Sequence, residues 1–311
     1  MWRDLQTRGF VVQRGFLSPD DCAALVRDYE DAATDANRNY KIKTVGLKAF
    51  ALVRRKLDAA AAAVRQATDI HVDSFQGATY FANEVTSLDW HQEFEPYYLC
   101  ADLYSYLNFY IPFVKEDPAR SNIVVVPFDV IAARDPDAYG YLLRGGARRF
   151  ELRGARTIAH DSTTGASRTL ALDLEALGQA PALGAGDLLV VRGDVVHRTQ
   201  DTSTRRIAAS FRMARGSAVV ERKRLAECGP QKLQVMLRNR RMFECVFSYF
   251  REAGRDEVTV DELTKHLRAS MPTYVASRRG LARMLAEVAP RFHYRALLPS
   301  GDQIARLLPR Q

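Results

Sequence analysis

Between residues 72 and 215 the chain breaks into short apolar or alternating runs: "SFQGATYFAN", "LYSYLNFYIPFV", "NIVVVPFDV", "FELRG", "RTLALDL", "DLLVVRG" and "RRIAASFRM". Gly, Pro and Asp punctuate them. Each run has the length of a strand and each break the chemistry of a turn, so the segment is expected to form an antiparallel sandwich or barrel. The stretch "GAGDLLVVRGDVVHRTQ" is the most legible. A Gly-Ala-Gly-Asp turn leads a buried strand, a second Gly-Asp turn follows, and then comes His197.

The two ends read differently. Residues 9–16, "GFVVQRGF", predict a short strand, and "LSPDDCAALVRDYEDAATDA" opens a helix with Ser18 as N-cap, Pro19 at the first helical position and two acids in the first turn. A second helix is expected over 46–67, which is rich in helix formers. Beyond residue 219 the strands are expected to stop. In "SRRGLARMLAEVAPRF", Leu281, Met284, Leu285 and Val288 fall at i, i+3, i+4 and i+7, an amphipathic helical stripe.

Charge divides the chain at the same point. The net charge is +8, and residues 220–311 hold all of the excess. The expected domains are therefore 1–219, carrying the strands, and 220–311, a basic helical domain or cap. A basic segment can attract nucleic acid or another acidic partner, or it can be a solvated helical surface. At 311 residues there is chain enough for one large core and an appendage. No run of eighteen apolar residues suggests a membrane span, and "MWRDLQTRGFVVQRGF" lacks a signal-peptide pattern. Cys22, Cys100, Cys228 and Cys245 lie far apart without CxxC spacing, which suits reduced thiols in a cytoplasmic protein.

The chemistry centres on "SLDWHQEFEPYY". Strand side chains alternate faces, so His91 and Glu93 are aimed the same way. Two imidazoles and one carboxylate on one face of an iron ion leave three positions open, the facial triad of non-haem oxygenases. His197, just past the "GDLLVVRGD" strand, supplies the second imidazole. A 2-oxoglutarate cosubstrate also needs a fixed cation for its distal carboxylate, and the planar fork of Arg suits it. In "HRTQDTSTRRIAASFR" either Arg205 or Arg206 could serve; Arg206, which shares a strand face with Ala208, Ser210 and Arg212, is preferred. Thr199 could add a hydroxyl to the cosubstrate or be an ordinary hairpin threonine. Tyr104, Tyr106, Asn108 and Tyr110 alternate onto one face, and Asn108 and Tyr110 are candidate cosubstrate contacts. Gln76 and Tyr80 could approach the same cavity from an earlier strand. Trp90 is most simply a packing residue, His71 and His160 are expected at the surface, and His266 and His293 lie in the helical tail. "DPDAYGYLLRGGARRF", within 132–155, is a candidate lid or substrate-contacting insertion.

On these residues the sequence resembles the Fe(II)/2-oxoglutarate-dependent oxygenases, specifically the phytanoyl-CoA dioxygenase-like group. "GFVVQRGFLSPDDCAALVRDYE" is similar to that group's opening strand and helix, and "DWHQEF" to its W-H-Q-D element. "LNFYIPF" with "SNIVVVPF" is similar to its central strands, and "GAGDLLVVRGDVVHRT" with "RRIAASFR" to its closing hairpin. The resemblance spans most of residues 9–215 and none of 220–311. It implies a double-stranded β-helix (jelly-roll, cupin-like) core with N-terminal helices and a C-terminal helical appendage. It further implies Fe(II), 2-oxoglutarate and O2 as reactants, with His91, Glu93 and His197 as metal ligands. Glu93 stands where Asp is commoner, and the Arg follows the second His slightly early. Because position 93 carries a carboxylate, hydroxylation or desaturation of a small molecule is implied rather than halogenation. Two other readings stay open: an oxygenase acting on a macromolecule docked by the basic tail, and a non-catalytic metal-binding β-sandwich.

Overall fold

Ser18 and Pro19 start a helix as their chemistry requires: the Ser18 hydroxyl accepts from Asp21 N, and the Asp21 carboxylate accepts from Ser18 N. The computed structural model describes residues 1–33, 43–82, 87–271, 273–275 and 277–288. His293 and the end of the basic tail lie outside the described residues. The first half of the chain runs α1 (Asp4–Thr7), β1 (Phe10–Gln13), α2 (Pro19–Asp31), β2 (Lys43–Thr44), α3 (Leu47–Ala67), β3 (Ser74–Ala82), α4 (Glu95–Cys100), β4 (Tyr106–Lys115), β5 (Ile123–Val125), α5 (Phe128–Arg134), α6 (Pro136–Leu142) and β6 (Arg148–Arg153). It continues with β7 (Arg156–Asp161), β8 (Ser167–Leu170), α7 (Leu174–Leu177), β9 (Leu188–Arg192), β10 (His197–Thr199), β11 (Arg206–Ala214) and β12 (Val219–Glu221). The C-terminal part is α8 (Arg222–Ala226), α9 (Pro230–Arg238), α10 (Arg240–Ala253), β13 (Glu257–Thr259), α11 (Val260–Ser270) and α12 (Arg278–Val288).

The major sheet is antiparallel, in the order β1-β9-β4-β11-β3-β2. Its central strands β9, β4 and β11 are buried on both faces, which is why "LNFYIPF" and "DLLVV" read as nearly continuous apolar runs. One face carries Phe109, Ile111, Val190, Ala209 and Phe211 against Leu25 of α2 and Val53, Leu57 and Val64 of α3. Each such fully buried leucine or valine contributes roughly 1.5–3 kcal/mol of transfer free energy. The other face carries Tyr110, Leu189, Val191 and Ala208 against Trp90, Val124 and Val126. Those last residues belong to a smaller layer, in which β5 pairs with β10, and β6, β7 and β8 form a ladder. His91 joins the two parts, because it bridges both His197 and Arg149. The fold is thus a mixed helix-strand architecture with a large antiparallel sheet facing a smaller one.

Two expectations change. Strands do not stop at 219: β12 and β13 pair with each other, each too short for a pattern to reveal. Part of the 132–155 stretch packs as core rather than standing free as a lid, while Arg144, Arg149 and residues 151–155 are exposed. Ile131, Ala138 and Leu142 are buried with Phe128 under the inner face, and the chain then enters β6. The stripe Leu281, Met284, Leu285 and Val288 is buried as its spacing predicts. It joins Phe243, Phe247 and Phe250 of α10 in one apolar cluster with Tyr98, Leu103, Tyr106 and Ala214.

Candidate active site

The Gly-Asp turn after β9 fixes where His197 emerges. Arg192 and Asp194, both wholly buried, make two parallel bonds, Nε to Oδ1 at 2.9 Å and Nη2 to Oδ2 at 2.7 Å. Arg192 also donates to the Leu5 and Gln6 carbonyls, and Asp194 accepts from Arg144 N, so the turn is tied to α1 and to the segment before β6. Between its two ends Gly193 packs so closely that an added Cβ would stand 2.9 Å from Tyr106.

His91 and His197 face each other as a closely bonded antiparallel pair: His91 N donates to His197 O at 2.9 Å, and His197 N to His91 O at 3.0 Å. Opposed residues in such a pair share a face, and the two ring centroids stand 4.2 Å apart. Both imidazoles are held by the same local device. His91 Nδ1 lies 2.7 Å from Asp89 O, and His197 Nδ1 lies 2.9 Å from Val195 O. A carbonyl only accepts, so each Nδ1 carries a proton and each Nε2 is left for another partner. Burial, with His197 alongside, pushes His91 down to about 4, so its Nε2 is a lone pair at neutral pH. This is the second-partner arrangement typical of metal-ligating histidines.

Glu93 Oε1 lies 4.0 Å from His197 Nε2. Burial raises its carboxyl, but Arg212 and the two imidazoles outweigh that and hold it below the ordinary value. The donors therefore converge without being closed into a cage. Among the described residues no group of three or more His, Cys, Asp or Glu is placed so as to hold a metal ion; ligand atoms around one ion would be about 3 Å apart, closer than the 4.0 Å between Glu93 Oε1 and His197 Nε2. Two imidazoles and a carboxylate are nonetheless among the donor types that an iron(II) ion accepts. Gln92, between His91 and Glu93, points the other way and is fully buried; it donates to Leu142 O and Asp194 O and accepts from Arg148.

Across the inner face, β4 and β11 align Arg212 with Asn108 and Ser210 with Tyr110. Arg206 is buried while Arg205 is exposed. The Arg206 guanidinium lies 6.0 Å from the Tyr110 ring centre. Burial raises the Tyr110 hydroxyl, and Arg206 partly offsets this. Asn108 Oδ1 accepts from Ser210 Oγ at 2.7 Å. Thr199 sits at the end of β10, where its hydroxyl accepts from Leu88 N and pins the segment leading to His91. Tyr80 points to the opposite face and donates to Asp28, and Gln76 accepts from Thr264. Trp90 is buried and donates to Glu175.

Of the other histidines, His71 lies near Asp73, His160 near Glu151 and Ser167, and His266 near Cys245 and Tyr249. Arg212, Gln92 and the Arg192–Asp194 pair were not singled out as site residues from the sequence. Only Arg212 left a signal there, two strand periods beyond Ala208 on the face of Arg206. Open clefts of about 490 Å³ beside Arg222 and Glu287, and about 330 Å³ beside Trp2 and Lys56, are lined by none of the candidate ligands.

No family model matches the chain, and no curated protein matches it in sequence. Among solved structures it is similar to AviO1 from Streptomyces viridochromogenes Tue57 at 14% identity, over 70% of this chain and 94% of that one, with a TM-score of 0.46. It is similar to SnoK, a non-haem α-ketoglutarate-dependent carbocyclase from nogalamycin biosynthesis, at 14% identity, over 70% of this chain and 84% of that one, with a TM-score of 0.48. EctD from S. alaskensis, solved with 2-oxoglutarate and 5-hydroxyectoine, gives 13%, 71%, 77% and 0.46 in the same order. Iron- and 2-oxoglutarate-dependent oxygenases are thus among its structural neighbours, at a similarity too low to carry a role for any residue.

Proposed function

We propose that this chain is a non-haem Fe(II)/2-oxoglutarate-dependent oxygenase that hydroxylates or desaturates an unactivated C–H bond of a small molecule, on a double-stranded β-helix core capped by residues 220–311. The observation that carries the reading is the opposed His91–His197 pair, with both Nδ1 atoms on carbonyls and an ionised Glu93 beside it. In this reading His91, Glu93 and His197 hold the iron. Arg206 receives the distal carboxylate of 2-oxoglutarate, with Tyr110 and Asn108 lining its path and Thr199 steadying the strand that brings His197 in. Bound iron would supply dioxygen activation, with 2-oxoglutarate as the electron source and succinate and carbon dioxide as its products.

The protein's own part is orientation and exclusion of water. The carbonyls of Asp89 and Val195 fix the imidazole tautomers, and the half-buried Phe94 ring stacks on His91, which is itself buried. Part of the basic C-terminal charge is engaged internally. Arg222 and Arg251 share Glu287, while Arg255 pairs with Glu262 and Lys265 with Asp261.

The test is anaerobic addition of Fe(II) with and without 2-oxoglutarate, watching for the weak visible charge-transfer band of the chelate. The band should need both additions, vanish in His197→Ala and weaken in Arg206→Ala more than in Arg205→Ala. Iron binding without a band would leave the triad standing and remove the cosubstrate. Failure to bind iron would return the pair to a structural role.

A further inference from the structure

Arg149 occupies a position in the small layer that the reading above does not use. His91 bridges Arg149 as well as His197, and Arg149 in turn opposes His160 across β6 and β7. Residues opposed across antiparallel strands share a face. The Arg149 backbone therefore stands one strand, about 4.8 Å, from that of His91, a candidate iron ligand, and its side chain leaves on the same face. Phe94 couples the two: its ring stacks on His91 at 6.1 Å and 16°, and the Arg149 guanidinium carbon lies 5.4 Å from its centre. An aromatic face fixes the plane of a guanidinium without using any of its donors.

The neighbouring arginines are engaged. Arg148 bonds Gln92, Arg153 pairs with Glu151, Arg144 with Asp102 and Arg198 with Glu175. Arg149 is exposed, and among the described residues no carboxylate or hydrogen-bond acceptor is paired with its side chain. The acid closest along its own face, Glu151, is engaged by Arg153 at 2.9 Å and by His160 at 3.3 Å. Nor is Arg149 needed to balance Glu93, which has Arg212 for that. What remains is a held cation with its donors open, at the rim of the candidate iron site.

We propose that Arg149 recognises an anionic group on the substrate, a carboxylate or a phosphate monoester, and so sets which carbon is presented to the iron. The inference rests on the oxygenase reading and narrows its substrate class to small anions. A guanidinium offers two parallel donors to either group, so the experiment separates them.

The full chain, loaded with Fe(II) and 2-oxoglutarate, is screened for succinate formation with small carboxylic acids against their primary amides, and with phosphate monoesters against their parent alcohols. One charged series should outperform its neutral counterparts. For its best member, Arg149→Gln should lower kcat/KM at least tenfold, Arg149→Lys should restore most of the loss, and the exposed Arg156→Gln should change nothing. Calorimetry on the metal-free full chain gives a readout independent of turnover, and the same ligand should bind at least tenfold more weakly to Arg149→Gln. If no charged compound outperforms its neutral partner, or Arg149→Gln keeps the preference, the inference is overturned. Wild type that gives the charge-transfer band but no charge preference would sink this inference alone. Wild type without the band would sink the oxygenase reading and this inference with it.

Discussion

Asp194 illustrates how far a single buried charge reaches. Its partner Arg192 has no access to water, so removing the carboxylate leaves a guanidinium stranded in the core. Breaking a buried pair from one side costs about 3–5 kcal/mol. Asp194→Ala should lower the free energy of unfolding by about that much in urea titrations, and His197 should lose its fixed exit from the turn. A loss near zero would mean that water reaches Arg192. Gly193 makes the complementary point: Gly193→Ala forces a methyl against Tyr106 and Leu103, an overpacking that costs about 1–3 kcal/mol. Both effects sit in "VVRGDVVH", where the sequence shows a turn and a histidine. It does not show that the Arg and Asp of the turn face each other, because alternation places two residues i and i+2 on one face without saying what lies beneath. His91 and Glu93 were legible for the same reason that Arg149 was not. Their common aim is read from strand alternation, although the structure forms only an isolated bridge at His91 and no strand there, whereas Arg149 meets His91 only through a bridge between segments 58 residues apart in the chain.

Element ends are where local chemistry can be read most directly. The N-cap of α2 was visible in "LSPDD" because it needs only Ser18 and the residues directly after it; the reciprocal bond from Ser18 N to Asp21 is what the structure adds. Ser18→Ala should cost about 1 kcal/mol in the same titration. The connection from β10 to β11 is different, since its key residue gathers partners from two places in the chain. Asp201 Oδ1 accepts from Ser203 Oγ at 2.6 Å, from Ser203 N at 2.9 Å and from Ser121 N at 3.2 Å. Burial pushes this carboxyl up, but the donors outweigh it and hold it at about 2, below the ordinary 3.8. A depressed carboxyl stabilises the fold above its unfolded value, and that stability is lost as pH falls toward the folded one. Acid unfolding should therefore steepen below about 3.8, and Asp201→Asn should flatten that part of the curve. An unchanged slope in the variant would show that the carboxylate contributes no acid-sensitive stability. The short pairing of β12 with β13 left no sequence signal at all, because three residues cannot establish a period.

At the scale of the molecule, the break in charge at residue 220 does not coincide with a break in packing. Phe243, Phe247 and Phe250 of α10 share one apolar cluster with Tyr98 of α4, with Leu103, and with Tyr106 and Ala214 of the major sheet. Polar links run the same way: Asn239 donates to Glu95, Thr264 to Gln76 and Arg268 to Phe75 O. Glu95 and Tyr98 lie on the helix that begins directly after the Glu93–Phe94 pair, so α9 and α10 support the carboxylate side of the candidate site from behind. Composition marks where solvent-facing charge accumulates, and packing is decided by the apolar faces beneath it. The expected consequence is that both parts unfold as one cooperative unit. Phe247 is fully buried, and Phe247→Ala should cost about 3–5 kcal/mol. That loss should lower the midpoint of a single transition followed by near-ultraviolet circular dichroism, and the charge-transfer band should disappear at the same denaturant concentration. Two separate transitions, with the band surviving the first, would instead make residues 220–311 an independent domain whose helices contribute nothing to holding Glu93.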